Sequence, residues 1–501
     1  MIRPGFLWLA LAALPAQAQT RYRLTFPEAA QHCIQIEARF GTGGEAQLDL
    51  FMPVWTPGDY TIRDFSKRVD QLSALGMDSR PLPLQTLSKN RWRVICAGQS
   101  EVVLRYRVKS AEGPFISGNH VSSEQAVLQG AATFISPVKP VQPAFELRVE
   151  LPKGWKSIET GLPRAGPAEY RARDFDQLVD CPIVAGSPQV DEFQVAGVRH
   201  RLVYLSRPAD SWDRARATRD AARMVEVTHK LWGFFPFAQD PPRGYWFFNL
   251  PARFLGGAGL EHKNSTCIEY YGGSQKNLAG YRKWLETASH EYFHTWNGKN
   301  LRPVALGPFD YEARNETPSL WIAEGLTHYY EGLLLTRAGL ANPSDYLASL
   351  SSYIGGFQRT RGIDISLSEA SLRTWEPYQR VSYRSGGVAV GFLLDQQIRQ
   401  ATSGRASLDE VMRQAYHQYS GESGYTEEQF EAVASQVSGV DLGEFFRRAL
   451  RSSEALDFAP ALSYYGLRFQ SAPAYSRTWR LEVDPEAPPE SRAHWQAYLS
   501  P

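Results

Sequence analysis

The spacing of apolar residues changes once along this chain, near residue 190, and that change bounds the fold more tightly than any other feature. Up to Pro188, apolar and polar side chains alternate. Cys33-Ile34-Gln35-Ile36-Glu37-Ala38 and Val102-Val103-Leu104-Arg105-Tyr106-Arg107-Val108 carry the two-residue period of strands buried on one face. Thr56-Pro57-Gly58-Asp59 and Leu151-Pro152-Lys153-Gly154 supply turns between such runs. No amphipathic helix interrupts them, so residues 19–188 are predicted to close as an all-β sandwich. Past that point, 193–205, 245–250 and 265–271 still read as strands, but 212–232 has helical spacing. Beyond Gly280, helices are predicted over 281–296, 320–336, 343–358, 383–401, 407–419, 426–437 and 442–450. A small sheet followed by a helical half makes residues 189–455 an α+β unit. Residues 456–501 return to Pro-rich text and are read as a short β and coil segment. The 501 residues are enough for two or three domains, so this multidomain reading is consistent with length.

Charge and leader text narrow the class. With 54 basic and 53 acidic residues there is no cationic excess of the kind nucleic-acid binders carry. Arg3 precedes an apolar run over 6–14, about half of the ~20 residues a membrane span needs. Ala16-Gln17-Ala18 then fits a small-x-small cleavage site. A leader over 1–18, removed after Ala18, and a secreted, periplasmic protein are expected. No other run reaches membrane length, so no integral membrane association is expected. Export gives meaning to the four cysteines, Cys33, Cys96, Cys181 and Cys267. Three pairings are open, and Cys33 with Cys96 is favoured because both lie in strand text of one domain.

The chemistry is concentrated in His290-Glu291-Tyr292-Phe293-His294, an H-E-x-x-H sequence. Residues four apart on a helix differ by about 40° around its axis, so both imidazoles leave one face and can share one metal ion. Glu291 is one step round the helix, placed to take a proton from water rather than to ligate. A catalytic zinc has three protein ligands and an open position. Glu324, in Trp321-Ile322-Ala323-Glu324-Gly325-Leu326-Thr327, is the best third ligand. It starts an apolar helix thirty residues after His294, and a helix hairpin would bring it opposite the imidazoles. Glu312, Glu316 and Glu331 compete from poorer surroundings. Two imidazoles and a carboxylate suit one Zn²⁺ per chain. Lys299 and Arg302 read as partners of structural acids ahead of substrate groups.

These residues resemble a known family. HEYFHTWNGKNLRP, the WIAEGLTHYYEGLLL block, Gly259-Leu260-Glu261-His262 and Trp55-Thr56-Pro57-Gly58-Asp59-Tyr60 occur in the order seen in the glycyl aminopeptidases, metallopeptidase family sixty-one, of the thermolysin-like (gluzincin) class. The resemblance implies an N-terminal β-domain and a thermolysin-like zinc peptidase domain. It also implies a C-terminal PDZ domain, which the fifty residues after Leu450 are too few to form whole, so a remnant or none is expected. It implies an aminopeptidase acting on peptides with a free, small N-terminal residue such as Gly or Ala. On the matching positions, Glu261 would receive the substrate amine. Gly259, with Gly256 and Gly257, would admit its backbone. Tyr383, in Val381-Ser382-Tyr383-Arg384-Ser385-Gly386, would stabilise the oxyanion. That segment departs from the Y-x-K-G pattern it resembles, because Ser385 stands where Lys belongs. The rival readings are a periplasmic zinc endopeptidase and a non-catalytic zinc-containing peptide-binding protein. The intact Glu291 argues against the second.

Overall fold

The computed structural model describes residues 20–115, 118–205, 213–239, 241–252, 258–271, 277–360, 362–470 and 480–500. The leader expected over 1–18 lies outside them, as do Gly256 and Gly257. The alternating text forms the predicted β region. Its largest sheet has eight strands. Cys33–Gly41 pairs antiparallel with Glu101–Lys109, from Cys33 opposite Lys109 to Gly41 opposite Glu101. Thr20–Thr25 and Phe145–Glu150 extend the sheet on one side, and Val69–Leu75 on the other. Two four-stranded sheets complete the region, one of them built on Gln47–Phe51 and Arg91–Ile95. The inward set Tyr22, Ile34, Ile36, Phe40, Leu50, Val94, Leu104 and Tyr106 forms one buried cluster, which is the period-two pattern made physical. One short helix, α1 (Phe175–Asp180), closes it, capped by the Asp174 side chain.

The second half is the predicted sheet with helices. Gln189–Val195, Val198–Tyr204, Gly244–Ala252, Ser265–Tyr271 and Gly259–Glu261 lie side by side in that order. The three central strands are parallel and both edges antiparallel. The helices are α2 (Arg214–Trp232), α3 (Leu278–Phe293), α4 (Thr327–Arg337), α5 (Pro343–Gln358), α6 (Leu367–Leu372), α7 (Tyr383–Ala401), α8 (Leu408–Tyr419), α9 (Glu427–Ser438) and α10 (Gly443–Leu450). A single apolar cluster joins them to the sheet. No helix among the described residues is long and apolar enough to cross a membrane.

Two expectations are corrected here. The tail read as strands and coil contains two helices, α11 (Ala459–Tyr465) and α12 (Pro489–Leu499), with one hairpin of Leu467–Phe469 and Leu481–Val483. Its prolines looked like breakers, but Pro460 and Pro489 sit in the first turns of these helices, where a missing N–H costs nothing. The favoured disulfide is absent: all four cysteines are free and buried. Cys33 opens a strand of the eight-stranded sheet, whereas Cys96 follows a strand of another sheet, and each thiol donates to a backbone carbonyl, of Gln31 and Glu45.

Candidate active site

The last turn of α3 carries His290 and Glu291, and His294 caps its C-terminus. The helix is held from behind: Tyr292 packs 4.8 Å from Tyr245 of the sheet, and Phe293 stacks 4.6 Å from Tyr330 of α4. This fixes the rotation of α3 and turns both imidazoles toward α4. Their tautomers follow from their partners. His290 donates through Nδ1 to Glu331 Oε2 at 2.9 Å, and His294 through Nδ1 to the Asn297 carbonyl at 2.9 Å. Both Nε2 atoms therefore present lone pairs, and they face each other at 3.1 Å. Zinc–nitrogen bonds near 2.0 Å at a tetrahedral angle would hold two nitrogens about 3.3 Å apart. Two lone pairs so close repel unless a cation lies between them. The donor set thus fits a divalent metal.

Glu324 supplies the carboxylate. Its oxygens lie 3.9 Å from His290 Nε2 and 3.8 Å from His294 Nε2. Residues Trp321–Leu326 form a π-helical turn that runs straight into α4, a distortion that re-aims side chains at functional sites. Asn297 locks that turn to the histidine helix, since its Nδ2 donates to the carbonyls of Ile322 and Ala323. Burial opposes the charge on Glu324, but Arg384 and the imidazoles outweigh it and hold the carboxyl at about 2. Burial pushes His290 down to about 3, which keeps it neutral and able to ligate. Burial also opposes charge on Glu331, yet His328 and His290 hold its carboxyl well below the usual range. Glu331 Oε2 accepts from His328 Nδ1 as well, at 2.9 Å, and Oε1 from the Tyr353 hydroxyl at 3.0 Å.

Glu291 is buried, and its Oε2 has no hydrogen-bond partner among the described residues. Burial, and after it the charges of Glu261 and Glu324, push this carboxyl well above its ordinary range. Glu261, on the edge strand, groups with Glu291 and His294, one ligand atom from each lying within 4.8 Å of the others. Gly58 of the sandwich lies directly against it: a Cβ there would stand 2.6 and 2.7 Å from the two Glu261 oxygens. With φ at +94°, only glycine is at ease in that turn. Gly259 has a further role. A Cβ at Gly259 would lie 2.0 Å from Glu291 Oε1, so the space this glycine leaves holds the Glu291 carboxylate.

Tyr383 begins α7. Its hydroxyl accepts from Thr374 Oγ1 at 3.0 Å, which leaves its own proton free to donate. Burial raises this phenol above its ordinary pKa, so the proton stays on at neutral pH. Lys299 is not a substrate group: its Nζ lies 2.6 Å from Asp180 of α1. Arg302 donates to the carbonyls of Gly307 and Glu422. From the sequence, Asn297, Thr327 and His328 stand near enough to support the imidazoles with none assigned; the supporting roles of Glu331, Gly58 and Arg384 are seen only in the structure. One signal was present, because Glu331 is seven residues beyond Glu324, two turns along and on the same face.

The M61 peptidase N-terminal domain matches residues 21–187, and the M61 glycyl aminopeptidase domain matches residues 283–390, together more than half of the chain. The chain belongs to the M61 glycyl aminopeptidase family. This M61 chain is therefore a metallopeptidase of aminopeptidase type. It is similar to an aminopeptidase N family protein from Idiomarina loihiensis, at 27% identity and a TM-score of 0.84, over 90% of this chain and 79% of that one. It shares its fold with an M1 zinc metallopeptidase from Deinococcus radiodurans, at 14% identity and a TM-score of 0.52, over 88% of this chain and 95% of that one. A mutant of that enzyme bound to a Tyr-Ser-Ala substrate aligns equally well, at 14% identity and 0.53, with the same coverage. Comparison with curated proteins finds no match.

Proposed function

We propose that this M61 peptidase is a zinc aminopeptidase that removes small residues, Gly or Ala, from peptides with a free N-terminus. His290, His294 and Glu324 would hold the ion, which supplies Lewis acidity that makes water more acidic and stabilises negative charge on oxygen. Glu331 and Asn297 orient the two imidazoles. Glu291 takes the proton of the attacking water and hands it to the departing amine nitrogen. Tyr383 donates its hydroxyl proton to the oxyanion that forms from the scissile carbonyl. Glu261 pairs with the substrate's ammonium and so sets the cut one residue from the end.

The observation that carries this reading is the contact of Gly58 with Glu261. A loop of the β-sandwich closes directly against this carboxylate, which supports the end of the substrate being placed there. The cavity at this point is lined by Trp55, Tyr60, Leu306 and Phe309 together with the polar groups Glu261, His294, Lys299 and Glu324. The preference for small N-terminal residues rests on the glycyl aminopeptidase family the chain belongs to.

The test is hydrolysis of Gly-, Ala-, Leu- and Phe-anilide beside N-acetyl-Gly-anilide. Gly and Ala substrates should lead, and the acetylated one should resist. Glu261→Gln should lower kcat/KM for Gly-anilide by about 10- to 100-fold, the worth of a charged hydrogen bond. An enzyme that cleaves the acetylated substrate as fast as the free one is an endopeptidase, and the proposal is then wrong.

A further inference from the structure

This inference rests on the aminopeptidase reading and concerns the other end of the substrate. Arg384, the second residue of α7, donates through Nε to Glu324 Oε2 at 3.3 Å. Its side chain is 45% exposed, whereas that of Glu324 is 5% exposed. Its guanidinium carbon lies 5.0 Å from the centre of the Tyr383 ring. Among the described residues neither Nη group donates a hydrogen bond. An arginine that served only to neutralise a buried carboxylate would be expected to turn its fork onto it and be buried with it. Here the side nitrogen alone is used, and the fork that matches a carboxylate is left open beside the group assigned to the oxyanion.

The neighbouring residue strengthens the point. Ser385, where the resembled pattern has Lys, faces away from the site, its Oγ 3.6 Å from the place a Cβ would take on Gly356 of α5. Of these two positions it is 384 that carries a cation to Glu324. Glu261 meets the donor set through Glu291 and His294, and Arg384 meets it through Glu324. A dipeptide carries an ammonium and a carboxylate with a single scissile bond between them, its two Cα atoms about 3.8 Å apart. The site offers Glu261 for the ammonium; of its two cations, Lys299 is already paired with Asp180 at 2.6 Å, which leaves Arg384 for the carboxylate.

We propose that Arg384 docks the C-terminal carboxylate of the substrate, so that dipeptides of the form Gly-Xaa and Ala-Xaa are the preferred substrate class. The test compares Gly-Ala with Gly-Ala amide on the zinc-loaded wild type, Arg384→Gln and Arg384→Lys. The wild type should favour the free carboxylate by about 10- to 100-fold in kcat/KM, mostly through KM. That ratio should fall close to one in Arg384→Gln and recover in part in Arg384→Lys, which keeps the charge but not the fork. A wild-type ratio near one overturns the proposal. So does a ratio that survives in Arg384→Gln, including the case where bound zinc and both rates fall together, because Arg384 then acts only through Glu324. Failure of the aminopeptidase reading shows separately, as cleavage of N-acetyl-Gly-Ala at the rate of Gly-Ala.

Discussion

At the scale of single residues, the site depends on an atom that is missing. Gly259 leaves room for the Glu291 carboxylate, and a methyl group there would have to displace it, since the ideal position is 2.0 Å from Oε1. Gly259→Ala should therefore imitate Glu291→Gln. Both should lose at least about 100-fold in kcat, the usual cost of misplacing or removing a general base. Both should also retain zinc, since neither residue is a ligand. Metal analysis beside steady-state kinetics would check this, and an active Gly259→Ala enzyme would contradict the packing. The H-E-x-x-H residues were legible in the sequence because their geometry is local: one helix dictates where two imidazoles point. The role of Gly259 was not, because the atom that fills its space arrives from α3, across the sheet. Gly58 and Tyr60 were legible only as a signature. Their partners Glu261 and Trp375 lie far away in the chain, and no periodicity records a contact across that separation.

At the scale of elements, helices with a clear apolar stripe matched their predicted bounds closely, as α5 and α7 show. The π-helical turn at Trp321–Leu326 was invisible, because its apolar residues satisfy an α-helical pattern equally well. The tail was misread because its stability is tertiary. Trp495 and Tyr498 of α12 lie three apart on one face and are buried against the helical core. The Tyr498 hydroxyl bonds that of Tyr346 on α5, its carbonyl accepts from Arg337 of α4, and Arg399 of α7 stands 5.7 Å over its ring. α12 thus ties together three helices, of which α4 follows directly from the turn that carries Glu324 and α7 begins at Tyr383. Tyr498→Ala should cost about 3–5 kcal/mol, as for other buried aromatics. Chemical denaturation would measure it. A loss below 1 kcal/mol would mean that the tail is only an appendage.

At the scale of the molecule, the question is what keeps the sandwich loop pressed on the catalytic half, since Gly58 must reach Glu261. The junction carries apolar contacts, such as Trp55 on Phe309 at 5.8 Å, and hydrogen bonds, such as the Trp55 indole to the Asp310 carbonyl at 2.8 Å. It also carries a buried ion pair: Asp180 of α1 meets Lys299, six residues past the end of α3, and accepts from the backbone N–H of Lys263 at 2.8 Å. Burial opposes both charges, but Lys299 and His262 outweigh it for Asp180, which is held below the usual carboxylate range, and Asp180 with Glu261 outweighs it for Lys299, which is held above its ordinary value. A depressed carboxyl stabilises the folded state above its unfolded pKa, about 4, and that share is lost as pH falls through this range toward the folded value. The raised ammonium contributes below about 10.4, and its share is lost as pH climbs through the folded value. The junction should accordingly hold best between these limits and loosen first in acid. Asp180→Asn leaves Lys299 buried without a partner, so it should cost about 3–5 kcal/mol at neutral pH and flatten the acid limb of the stability curve. Replacing both, as Asp180→Asn with Lys299→Met, should restore most of the loss, because an apolar pair needs no counter-charge. Denaturant unfolding of the wild type and these two variants between pH 3 and 7 separates the outcomes. Equal acid limbs in all three would place the stability of the junction in its apolar contacts alone.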